Sequence, residues 1–259
     1  MVRGIDIAAT GMVSLTHYHD IIANNLANIN TPGFKQTLAS FKNLENLEVS
    51  KIDAAQGFKN NESPGIVSAG SVLDSTTFDF RQGSVKATGN PLDLAIQGDG
   101  FFVVRTPDGD AYTRNGNFIK SEDGSITTLD GYPVLGESGN PLSVNSNNFD
   151  PKKLKILSNG DLEINKEIVD KVKVVDFNDR SQLKTLGNSL FKPVNEDNVK
   201  DAENYQITQG SLESSNANVI ESMIKSIEAM RAYEVLTKNI ETVTRGINKT
   251  VNEVGRIKR

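Results

Sequence analysis

The chain has 259 residues, 37% of them hydrophobic, no cysteine and a formal net charge of −5. That supplies apolar material for one large domain or two smaller units. The acidic balance removes the electrostatic footprint of a nucleic-acid binder, and the missing thiols exclude disulfides and thiolate metal sites.

The chain opens on an a/d heptad pattern, with Ile5, Ala8, Met12, Leu15, His19, Ile22, Leu26 and Ile29 at alternating spacings of three and four. A helix is expected from about Gly4 to Asn28, ending at Asn30-Thr31-Pro32-Gly33, because Pro32 disfavours helix at Thr31 and Gly33 permits a turn. Asp6, His17, His19 and Asp20 interrupt any apolar run there, so neither a signal-peptide core nor a membrane span is expected, and export would need no cleaved signal. Phe34 and Lys35 start a new direction. From about Asn43 to Ser75 the pattern is weak and polar, and it reads as an exposed, extended segment that gains order only against neighbours.

Strand signals follow. Asp93–Gln97 leads through Gly98-Asp99-Gly100 into Phe101–Val104, and Gly or Asp-Gly turns recur at Asp108-Gly109, Asn115-Gly116, Asp123-Gly124, Asp130-Gly131, Ser138-Gly139 and Asn159-Gly160. These predict an all-β body ending near Leu190-Phe191, then a polar linker from about Asn195 to Asn204. The last helix should start near Asn218, capped by that residue with Glu221 at the third helical position, and run to the end of the chain. Its heptad seam comprises Val219, Met223, Met230, Tyr233, Ile240, Ile247, Val251 and Val254, with Ser226, Thr237 and Thr244 between them. Ile220, Ile224, Ile227, Leu236 and Val243 add flanking rows that a two-helix hairpin would leave wet.

The expected fold class is therefore α+β, with N- and C-terminal helices pairing as a coiled coil and a central, mainly antiparallel β domain. The divisions are a helix at 1–35, an extended segment at 36–75, a β domain at 76–205 and a helix at 206–259.

Motifs with a chemical reading favour structure over catalysis. His17 and His19 lie two apart on one helix, point roughly 200° away from each other and cannot share an ion. Asp108-Gly109-Asp110 and Asp123-Gly124 lack the ligand progression of a calcium loop, and Gly98-Asp99-Gly100 leads into a strand without the Gly-Lys-Ser/Thr of a phosphate loop. With no nucleophile elbow and two histidines confined to one helix, the chain is expected to be no enzyme and to use no cofactor or metal. Asn24, Asn25, Asn28 and Asn30 sit where helix propensity argues against them. Two readings stay open on the residues alone: a frayed polar terminus, or amide hydrogen bonds interlocking with neighbouring subunits.

Three blocks carry a resemblance. They are Ala8–Met12 with Ile22–Lys35; Leu92–Phe102 with Tyr112–Gly116; and Gln209–Val219 continuing into Met230-Arg231-Ala232-Tyr233-Glu234. In this order they closely resemble the bacterial flagellar rod and hook protein family, and the length and modest middle domain look like its proximal and distal rod members. The resemblance implies a subunit exported unfolded by the flagellar type III apparatus, without a cleaved signal peptide. It implies polymerisation with itself and with other rod and hook proteins into the periplasmic span of the basal body, where the tube transmits torque and surrounding ring proteins are further partners. No nucleic-acid partner and no membrane-spanning segment are expected. It also favours the interlocking reading of the asparagines. The implied assembly interface is Ile5, Met12, Leu15, Ile22, Asn24, Asn25, Leu26, Asn28, Asn30 and Phe34 near the start. Near the end it is Asn216, Asn218, Val219, Met223, Met230, Arg231, Tyr233, Ile240 and Ile247. A reading from a different class is a soluble β-domain adhesin or peptidoglycan-binding module with an intramolecular helical hairpin.

Overall fold

The computed structural model describes residues 2–44, 46–48, 66–68, 70–144 and 154–256. They form two compact units. One joins Met1–Leu26, Thr37–Thr77 and Val219–Arg259; the other joins Ala27–Gln36 and Phe78–Asn218.

The first unit holds α1 (Val2–Ala27) and α2 (Val219–Arg256). At 38 residues, α2 is about 57 Å long at 1.5 Å per residue. Glu221 in its first turn and Arg256 in its last complement the helix dipole, and Glu221 pairs with Lys225 one turn on at 2.6 Å. The helices run antiparallel: Gly11 faces Leu236, while Leu15 and His19 share a crevice with Ala229, Met230 and Tyr233. The stripe of α2 that this packing covers differs from the expected seam. Ser222 and Ala229 are buried and Leu236, Ile240, Val243 and Ile247 half-buried, whereas Val219, Met223, Met230 and Tyr233 lie exposed. Small side chains face inward because they let two helix backbones approach closely, and this turns the bulky row outward.

The weakly patterned segment contains strands. β1 (Thr37–Asn43) pairs with β4 (Ser71–Phe78), and inside that pair β2 (Asn46–Glu48) lies antiparallel to β3 (Ile66–Ser68), with Asn46 opposite Ser68. Residues 49–65, the middle of the segment expected to be extended, lie outside the described residues. Ser14 of α1 is buried and donates to the carbonyl of Ser71, and Tyr18 meets Phe41 edge to face at 5.4 Å.

The second unit is the β body. Its strands are β5 (Val85–Ala87), β6 (Leu94–Gly98), β7 (Phe101–Thr106), β8 (Gly109–Thr113), β9 (Phe118–Lys120), β10 (Ile126–Thr128), β11 (Leu154–Ile156), β12 (Asp161–Ile164), β13 (Glu167–Lys171), β14 (Val174–Phe177), β15 (Leu183–Gly187), β16 (Leu190–Pro193), β17 (Val199–Asp201), β18 (Tyr205–Gln209) and β19 (Ser211–Glu213). The main sheet has the order β15-β16-β8-β7-β14-β17, with antiparallel pairing throughout. A three-stranded sheet, β11-β12-β13, and the pairs β9–β10, β6–β18 and β5–β19 complete it. The expected linker from Asn195 to Asn204 is instead a short 3-10 turn, Glu196–Asn198, followed by β17, which pairs with β14 through Val199 and Phe177. Its polar composition is that of an edge strand, which needs a charged outer side.

Sheet alternation sorts side chains into two cores. Phe102, Val104, Phe118, Leu142 and Leu162 lie in one; Phe101, Val103, Leu135, Val175 and Phe191 lie in the other. Two hairpins turn on pairs of non-glycine residues with positive φ, Asn165-Lys166 and Asn188-Ser189, as a type I′ turn requires.

Candidate assembly site

In the helical unit the candidate site is the outward face of α2. Ile220 is 71% exposed and Ile224, Ile227, Met230 and Val235 are each more than half exposed, so the helix presents large apolar side chains to solvent from Ile220 to Val235. Isolated exposed hydrophobes are ordinary, but a row of this kind makes the face a candidate interaction surface. Beside it, between α1 and α2, lies a crevice of about 300 Å³ lined by Leu15, Thr16, His19, Ala229, Met230, Tyr233 and Glu234.

Within the β body, a second construction brings the three sequence blocks together. Lys35 from the first, Arg114 from the second and Glu213 from the third meet in the interior: Lys35 Nζ lies 2.6 Å from Glu213 Oε1 and Arg114 Nη1 lies 3.3 Å from Glu213 Oε2. All three side chains are almost wholly buried. Lys35 also donates to the carbonyl of Arg81, Arg114 to those of Ile96 and Gly98, and the Gly83 amide to Glu213 Oε1. Burial pushes the pKa values of Lys35 and Arg114 down, and the Glu213 carboxylate opposes that fall. Arg114 further stacks over the Phe101 ring, 5.3 Å from its centre.

The backbones here leave no slack. The Gly33 amide donates to the carbonyl of Glu213 at 2.8 Å, and Gly33 has φ of +67° with its missing Cβ aimed into the Arg114–Asn115 peptide. Only glycine satisfies both the turn and the approach. Asn216 completes the junction: its Oδ1 accepts from the Gln36 amide, and its Nδ2 donates to the carbonyls of Asp79 and Arg81.

Comparisons with known proteins match three stretches of the chain to one family. Residues 5–35 match the model of the flagella basal body rod protein, residues 95–169 that of the flagellar hook protein FlgE/F/G D1 domain, and residues 208–252 that of the flagellar basal body rod FlgEFG protein C-terminal region. Flagellar basal-body rod protein FlgF of Mesorhizobium japonicum is 32% identical over 88% of each chain. Flagellar basal-body rod protein FlgG of Bacillus subtilis is 30% identical over 97% of this chain and 99% of its own, and FlgG of Borreliella burgdorferi is 32% identical over 93% and 95%. The chain belongs to the flagellar basal-body rod protein family.

For a rod-family chain the positions of the expected interface residues are informative. Ile220 and Ile224, flanking the expected seam, are more exposed than Val219 and Met223 on it, while Ile22 is buried and Ile5, Met12, Leu15, Leu26 and Phe34 are half-buried. Arg231 is exposed; Ile240 and Ile247 are half-covered. The asparagines divide. Asn25 is buried and brackets Thr37, donating to its carbonyl at 2.8 Å and accepting from its amide at 2.9 Å. Asn28 accepts from the Thr31 hydroxyl, and Asn216 is spent within its own chain. Asn24, Asn30 and Asn218 are exposed. Asn25 and Asn216 thus act as backbone staples, because a side-chain amide offers both a donor and an acceptor where a strand begins without a partner.

Sequence reasoning missed the roles of Lys35, Arg114 and Glu213. Each stands inside one of the three family-like blocks, but charged residues 178 and 99 positions apart share no local period. The available signal was that Lys35 and Arg114 each stand two residues from a glycine of close backbone approach, Gly33 and Gly116. The acidic turns are plain turns: Asp123 Oδ1 accepts from the Ser125 amide and hydroxyl, and Gly109 closes the β7–β8 hairpin. Among the described residues no group of His, Asp and Glu could hold a metal, and no helix is long and apolar enough to cross a membrane.

Proposed function

We propose that this chain is a structural subunit of the flagellar basal-body rod that polymerises through its terminal helices into a tube. In the tube, α1 and α2 of successive copies, and of other rod and hook proteins, pack as coiled coils about a common axis. A contact between different faces of identical subunits that does not close into a ring continues as a helix, which is the symmetry a tube needs. The observation that carries this reading is the outward apolar row of α2, Ile220, Ile224 and Ile227, which a two-helix hairpin leaves in water. An adhesin or peptidoglycan-binding module offers no use for that row.

The same reading places the tube across the periplasm, where it transmits torque, and routes the unfolded chain through the flagellar type III apparatus without a cleaved signal peptide. Loops of the β body then meet adjacent subunits and surrounding ring proteins through polar contacts. The family relatives carry both the FlgF and the FlgG name.

The test is Ile224→Asp in the full chain. The side chain is 52% exposed, so the charge costs the monomer little, while in a desolvated helix interface it is unpaired. Thermal unfolding of the purified variant should match the parent, and cells carrying it should lack rods and fail to swim. Normal motility refutes polymerisation through this face.

A further inference from the structure

We propose that Lys35 is a positioning residue: with Glu213 and Arg114 it clamps the segment by which the chain enters the β body to the segment by which it leaves, and so fixes the separation of those two points. This rests on the rod reading for its biological use, though not for its geometry.

Four observations on these residues support it. The cluster holds two cations against one carboxylate in a buried site, which is a poor way to gain stability, since well-packed apolar residues of similar volume do as well or better. Arg114 Nε is buried with no hydrogen-bond partner, a further cost the fold tolerates. The clamp sits where backbones cross at contact distance, with Gly33 bonded to Glu213 and Gly83 packed against the Ser214 carbonyl. Finally, Lys35 can be removed without orphaning its neighbours. Glu213 keeps Arg114 and the Gly83 amide, and the Arg81 carbonyl keeps the Asn216 amide. Lys35 is thus the dispensable member for stability, and it is the member that belongs to the entering segment.

Lys35→Met leaves a neutral pair in place of two cations on one carboxylate. One buried cation then faces one buried carboxylate, so folding should survive the change while the entering segment loses its side-chain anchor to the leaving one and keeps the backbone bonds at Gly33 and Gln36. The experiment uses the full chain, which has no cysteine of its own, with Asn30→Cys and Asn218→Cys introduced as spin-label sites. Pulsed electron spin resonance on the monomer should give one narrow distance for the parent and a broadened or doubled distribution for Lys35→Met, with the thermal midpoint within a few degrees of the parent. Separately, unlabelled Lys35→Met introduced into the source bacterium should give loss of rods, and Lys35→Arg, which keeps the charge, should restore them in part.

A folded Lys35→Met chain with an unchanged narrow distance overturns the proposal. A variant that does not fold also overturns it, because Lys35 would then serve stability. A broadened distance with normal rods overturns the link between the clamp and assembly. If deleting the parent gene leaves rods intact, the rod reading fails while the distance measurement still decides the clamp.

Discussion

The two units bury different kinds of residue. The β body encloses Phe102, Val104, Phe118, Val134 and Leu135 with no exposed surface at all, whereas the buried residues among those described in the helical unit are Ala8, Ser14, Ile22, Asn25, Gly70, Ser222 and Ala229. A body that buries rings and branched chains is stable by its own core. A unit that buries alanine and serine and exposes isoleucine is built to be finished by something else. The contrast teaches that the same chain can separate folding from assembly by where it spends its large apolar side chains.

The comparison breaks most sharply in the β-body core. Phe102→Ala should cost about 3–5 kcal/mol, as large-to-small changes of buried aromatics do, against a typical total of about 5–15 kcal/mol. Denaturant titration should show a large fall in midpoint with the slope retained. Ile224→Asp, by contrast, should leave that midpoint in place. If the two variants lose similar stability, the two units are not energetically distinct.

A smaller effect is expected at Asn25, where polar burial substitutes for a core. Asn25→Ala removes both hydrogen bonds to Thr37 and leaves its amide and carbonyl without those partners, at about 1–3 kcal/mol. Limited proteolysis should cut the N-terminal helix faster while the β body resists as before. Equal rates in parent and variant would mean the staple is not what orders this region.

The smallest effect sharpens the electrostatic side. Hydrogen bonding from Arg180 holds the Asp99 carboxyl below its ordinary 3.8, and Arg81 does the same for Asp79. A carboxylate whose folded pKa is depressed contributes stability that is fully present above the unfolded value and is lost as pH falls through the folded one. Thermal midpoints should therefore hold from neutrality down to about pH 4 and decline below it, and Asp99→Asn should flatten part of that decline. The size will be modest, since Asp99 is more than half exposed and solvent screens the pair.

Much of this was legible in residue order. Heptads, turn glycines and the Thr31-Pro32-Gly33 stop marked both helices and most hairpins, because these are local rules of backbone geometry and side-chain period. The strands β1 to β4 were not legible, since β1 has no buried residue to reveal an alternation. β17 was hidden in the same way by its polar edge. The hairpin turns at Asn165-Lys166 and Asn188-Ser189 escaped because their second residues are not the glycine that signals a type I′ turn.

What the sequence by itself determined is the kind of protein: two amphipathic ends, a β middle, and family blocks in order. What only the tertiary structure decided is which face of α2 turns inward, and that Lys35, Arg114 and Glu213 share one buried site. The first depends on fitting small residues of one helix against another, where Gly11 meets Leu236, and the second on three distant segments closing at one point. Periodicity reports that a stripe is apolar. Which neighbour covers the stripe, and which charges meet beneath a turn, is set by close packing between segments far apart in the chain.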